Sequence, residues 1–180
     1  MHTLILTLKL LFYSYLGYLL FFLATGYHPE QAGYNPPFVI FVVDTINLFI
    51  HEAGHFFLKI FGKFINILGG SFFQILIPGL LVFTTWRQTI TQIALPGFWL
   101  GESMVNVSVY IRDAPFRHLR LIARGLIHDW NWLLSGNMEA AEPLADIVFI
   151  CGLCICAASL GAGVYFAVRV FREESLSVPG

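Results

Sequence analysis

Residues 38–61 read FVIFVVDTINLFIHEAGHFFLKIF. About 20 helical residues, at 1.5 Å each, cross a hydrocarbon core of about 30 Å, so this run is long enough to span a membrane. Inside it stand His51, Glu52 and His55 in the order HExxH. Two imidazoles four residues apart lie on one helix face, one turn apart, and both can reach a single metal ion. The glutamate between them sits beside that ion, where it can take a proton from water. Zinc suits the pair, because it accepts neutral imidazole nitrogen and a catalytic site takes three protein ligands plus water. The competing explanation is a chance match, with both histidines satisfied by neighbouring helices. Ionisable groups inside an apolar segment are costly, however, and by default they mark a functional site.

The whole chain has the same character as this stretch. It has 180 residues, 57% hydrophobic and only 12% charged, with a mean hydropathy of +0.74. Soluble domains carry about 25% charged residues. The length fits one domain, residues 1–180, and leaves no room for a separate soluble module. The composition predicts an all-α, polytopic membrane protein. The net charge of −1 comes with no basic stripe, which argues against a nucleic-acid partner. Cys151, Cys154 and Cys156 fall inside one apolar segment, where small side chains packing between helices explain them better than a metal or redox cluster.

Five apolar segments are expected, at 4–25, 37–61, 64–86, 88–111 and 143–168. Lys9 can snorkel to the interface from the first, which is long for a signal peptide and reads as a retained helix. In the second, Asp44, Leu48, His51 and His55 share a face. Asp44 lies about 10 Å along the axis from His51, too far to be a ligand, and is expected to line a water path or pair with another helix. The third opens with Gly69-Gly70 and contains Pro78-Gly79. These residues suit close helix packing, or a broken region where an extended substrate could lie. In the fourth, Glu102, Asn106 and Asp113 form a polar stripe. Between the last two segments, residues 112–141 make a cytoplasmic or re-entrant loop. It carries Arg112, Arg117, Arg120 and Arg124, then His128-Asp129-Trp130-Asn131.

Five alternating spans put the chain's two ends on opposite sides. The N-terminal side collects Lys9, Lys59, Lys63 and the four arginines, so the positive-inside rule predicts a multi-pass protein of the cell membrane with a cytoplasmic N-terminus and an external C-terminus. Two histidines leave catalytic zinc one protein ligand short. Glu102, His128 and Asp129 are the candidates: Glu102 by its depth in the membrane, the other two if the long loop returns to the site.

The chain resembles the intramembrane zinc metallopeptidases of family M50, the site-2 protease class, over roughly residues 38–135. The resemblance rests on the HExxH helix, on Gly70-Ser71-Phe72-Phe73-Gln74 where that family has Gly-Pro-x-x-Asn, and on His128-Asp129-Trp130-Asn131. That last element is similar to the HDWN of small M50-like bacterial membrane proteins. The chain departs from the family in lacking Leu-Asp-Gly around the third ligand. The resemblance implies a three-helix metallopeptidase core, a zinc site of His51, His55 and Asp129, and Glu52 as general base. It also implies a membrane-spanning or membrane-adjacent peptide as substrate, unwound near Gly69-Gly70, with Gly70 and the Gln74 amide beside the substrate or its oxyanion. Two rival expectations stand beside it. Glu102-x-x-x-Asn106 is similar to the downstream glutamate of membrane gluzincins. Alternatively, the histidines could serve a non-enzymatic metal- or haem-binding membrane protein.

Overall fold

Proline and glycine punctuate the chain where helices start and stop. The computed structural model describes residues 2–119 and 127–177. α1 (His2–Thr25) is followed by a connection ending in Pro36-Pro37. The backbone of Pro37, at φ −51° and ψ 143°, is extended and leads into α2 (Phe38–Leu58); proline's locked φ suits that position. A 3₁₀ turn, Lys59–Phe61, and Gly62 at φ 92° then reverse the chain. Glycine takes that left-handed conformation without the Cβ penalty other residues incur. α3 (Lys63–Gln88), α4 (Ala94–Arg112), the short α5 (Asp129–Leu133) and α6 (Ala141–Ser177) complete the fold. Among the described residues there is no strand, and the protein is an all-α membrane protein.

Four helical stretches are long and apolar enough to cross a membrane: His2–Thr25, Phe38–Phe61, Lys63–Gln88 and Met138–Leu176. The fourth expected segment is a helix, but it begins at Ala94 and is not apolar enough to join them. Its polar residues Glu102, Ser103 and Ser108 are buried among neighbouring helices, so α4 is the central element of the bundle. It lies antiparallel against α6 through small residues. A Cβ on Gly101 would stand 2.5 Å from the Gly152 carbonyl oxygen, and one on Gly97 would collide with Ser159. Such side-chain-free faces let backbones approach closely. Leu16, Leu19 and Leu23 of α1, Ile40 of α2, Phe98 and Val105 of α4 and Cys156 of α6 close the main core.

Two expectations are corrected here. α1 runs antiparallel to α6: Gly17 faces Leu160, Gly163 faces Tyr13, and His2 Nδ1 lies 2.6 Å from Glu174 Oε2. The start of α1 and the end of α6 therefore share one end of the bundle, not opposite ends. The connection after α1 folds back, with the Tyr34 ring 6.3 Å from Phe22 and 5.9 Å from Tyr27, so segment order alone does not set helix direction. The second correction concerns α3. It runs unbroken through Gly69, Gly70 and Pro78, which removes the unwound substrate platform. The glycines serve packing instead: a Cβ on Gly54 would collide with the Gly69 carbonyl, where α2 and α3 touch. Of the arginines expected in the long loop, Arg120 and Arg124 lie outside the described residues.

Candidate metal centre

The HExxH spacing does locally what helix geometry requires. His51 and His55 stand one turn apart with ring centroids 4.8 Å from each other. His55 Nδ1 is 2.7 Å from the Asn66 carbonyl oxygen, and Asn66 Nδ2 donates back to the His55 carbonyl at 2.6 Å. With Nδ1–H donating to that carbonyl, Nε2 keeps its lone pair for a ligand. His51 is seated against bare backbone, since a Cβ on Gly70 would collide with its Nε2.

The third group comes from α5. Asp129 Oδ2 lies 2.9 Å from His51 Nε2 and 3.1 Å from His55 Nε2. Each residue of the His128–Asn131 element helps bring it there. His128 caps α5, its Nδ1 accepting from the Asn131 backbone N–H at 3.3 Å, while its Nε2 donates to Asp113 Oδ2 at 3.1 Å. Asp113 also accepts from the backbone N–H groups of His118 and Leu119. Trp130 Nε1 donates to Ser71 Oγ on α3 at 3.0 Å, and Asn131 Nδ2 donates to the Ala114 carbonyl at 2.8 Å. α5 is thus tied to α3 and to the end of α4, and its first side chain points at the two imidazoles. Burial raises the Asp129 carboxyl, but hydrogen bonds and charge from His51 and His55 outweigh this and hold it below its usual value.

These three residues form a group able to hold a metal ion, their ligand atoms all within 4.8 Å of one another. The fit is chemical as well as geometric. Two imidazoles and a carboxylate are a donor set zinc accepts, and ligands at about 2.0–2.1 Å around a tetrahedral ion lie roughly 3.3 Å apart. Gly70 leaves the room that a side chain would fill.

The other candidate ligands stand elsewhere. Both ring nitrogens of His128 are engaged as above, so it positions Asp129 and is not a ligand. Glu102 is buried and accepts from Asn47 Nδ2 at 2.8 Å. It therefore does not join the histidines, and the glutamate-ligand arrangement of the gluzincin alternative is not formed. Gln74 lines the cavity beside the site, and its Nε2 donates one of its two hydrogens to Asn106 Oδ1 on α4 at 2.7 Å. Asp44 pairs with other elements as expected, accepting from Tyr27 Oη and Asn106 Nδ2.

Beside the triad is a cavity of about 620 Å³, lined by Asp44, His51, Glu52, His55, Tyr110 and Asp129 among others. Glu52 is half-buried, and no described side chain or backbone group holds its carboxylate. Asn66 and Tyr110 are site residues that sequence reasoning missed. Asn66 gave no signal, lying across a hairpin from His55. Tyr110 continues the 102–106 spacing by one more turn, so the polar stripe of α4 already pointed to it.

The fold and site together define a helical membrane protein with a buried His–His–Asp group beside an accessible carboxylate. No protein-family model, curated protein or solved structure matches this chain.

Proposed function

We propose that this protein is a zinc-dependent peptidase that hydrolyses a peptide bond of a membrane-spanning or membrane-adjacent segment. The observation behind this reading is that one cavity gathers the two histidines of the motif, a carboxylate from a distant loop, and a Glu52 carboxylate that no other described residue holds. The M50-like set of two histidines and one aspartate supports it, and the four apolar helices support a place in the cell membrane.

His51, His55 and Asp129 would hold the ion. When bound, zinc supplies the acid strength that makes water nucleophilic at neutral pH. Glu52 takes the proton of the attacking water and returns it to the leaving amine nitrogen. Leu48, Ile67 and Val109 give the cavity apolar walls against which a short extended segment can lie beside the intact α3. Metal retention without hydrolysis is the remaining alternative, and Glu52 separates the two. Glu52→Gln should keep about one zinc per chain, by elemental analysis. It should lose roughly 10²–10⁴-fold in cleavage of a quenched-fluorescent apolar peptide in detergent, because the amide cannot accept the proton. Equal cleavage by parent and variant would end the hydrolase reading.

A further inference from the structure

Tyr110 sits on α4 with its ring between two histidines, 5.6 Å from the His51 centroid and 4.5 Å from that of His128. Its hydroxyl oxygen accepts from the backbone N–H of Asp129 at 3.3 Å. The side chain lines the same cavity as Glu52 and the triad. A phenol carries one hydrogen and can both accept and donate. Here the accepting side is used, and among the described residues no acceptor takes the hydrogen. The cavity that Tyr110 lines is open to it. The ring cannot swing away, because it is packed between His51 and His128, so the donor is held in place before any substrate arrives.

We infer that Tyr110 is a catalytic residue that donates its phenolic hydrogen to the scissile carbonyl oxygen as that oxygen becomes negative. This rests on the peptidase reading above. In the step, the water oxygen bonds to the carbonyl carbon and the carbonyl π pair moves to the oxygen that Tyr110 faces. The water proton goes to Glu52. The C–N bond then breaks as the π bond reforms, and the nitrogen takes the proton from Glu52. Tyr110 stays neutral throughout, so its contribution is a hydrogen bond that strengthens with developing charge. A donor fixed in advance at such a position is worth about 10²–10³ in kcat.

The test is Tyr110→Phe, which keeps the ring and removes the hydroxyl. Three quantities are read on zinc-loaded protein in detergent: zinc per chain, kcat and KM for the quenched-fluorescent peptide, and affinity for a phosphinic analogue of the same peptide. That analogue presents a charged tetrahedral oxygen. The proposal expects zinc content and KM unchanged, kcat lower by about 10²-fold, and the analogue weakened by a similar factor. Unchanged kcat and unchanged analogue affinity would overturn it while leaving the peptidase reading intact. Loss of zinc would overturn it in favour of a role in positioning Asp129. A parent protein that binds zinc but neither cleaves the peptide nor binds the analogue would overturn the peptidase reading, and this inference with it.

Discussion

Two polar clusters lie along α2, about two turns apart, and they are built on opposite principles. In the first, Asp44, Asn47, Glu102 and Asn106 meet Tyr27, Trp99, Ser103 and Gln74. Most acceptors find donors: Asn47 Oδ1 takes Trp99 Nε1 at 2.9 Å and Ser103 Oγ at 3.2 Å, while Asn47 Nδ2 gives to Glu102 Oε2, and Glu102 Oε1 is buried without a partner among the described residues. Such pairing satisfies groups that would be costly to bury unpaired, and it fixes how α2 crosses α4. In the second cluster, two imidazole nitrogens and a carboxylate oxygen converge on one another, next to a glutamate that has no hydrogen-bond partner among the described residues. The surrounding hydrogen bonds, from Asn66, Trp130, Asn131 and Asp113, hold the frame, and the converging atoms of His51, His55 and Asp129 face one another. Burial and charge alone would not separate the clusters. The separation lies in where the groups are aimed: at partners on other helices in the first cluster, at one another in the second.

The largest expected effect breaks the second cluster. Asp129→Ala should weaken zinc binding by more than about 100-fold, beyond the 10–100-fold that losing an outer hydrogen-bonding partner costs. Glu102→Gln should leave zinc binding unchanged. Competition with a chelating dye measures both, and equal losses would erase the distinction drawn above. A middle-sized effect comes from the wall behind His51. Gly70→Ala puts a methyl group against Nε2 and should lower zinc affinity by roughly 10–100-fold. The control is Gly79→Ala, whose Cβ would meet only Leu100 at 4.0 Å, an ordinary contact that should change nothing. The smallest effect lies in the first cluster. Asn47→Ala strips Glu102 of its donor and should cost about 1–3 kcal/mol of stability, read as a lower unfolding midpoint with zinc content unchanged. Zinc loss in that variant would mean that the two clusters act as one.

Helical periodicity was enough to find what is local in this protein. The apolar segments, the shared face of Asp44, His51 and His55, and the place of Glu52 beside them all follow from the 3.6-residue repeat and the cost of burying charge. The same logic overreached where directions were inferred by alternation, because a connection that doubles back, as Tyr34 does onto Phe22, leaves no periodic trace. It also over-read Gly69-Gly70 as a break: glycine permits unwinding, but here the absent side chains let α2 and α3 approach closely and give His51 its space.

The third member of the metal-capable group shows the division most clearly. Asp129 is 78 positions from His51, and no repeat of the chain relates them. Among Glu102, His128 and Asp129, depth favoured Glu102 by the residues alone, and only the resemblance favoured Asp129. Tertiary structure separated the three. Asn47 occupied Glu102, Asp113 and Asn131 occupied His128, and the ties of Trp130 and Asn131 to α3 and the end of α4 turned Asp129 toward the imidazoles. A sequence determines which groups a helix presents on each face. Which of them remain unpaired depends on partners contributed by other helices, and those are set only when the chain packs.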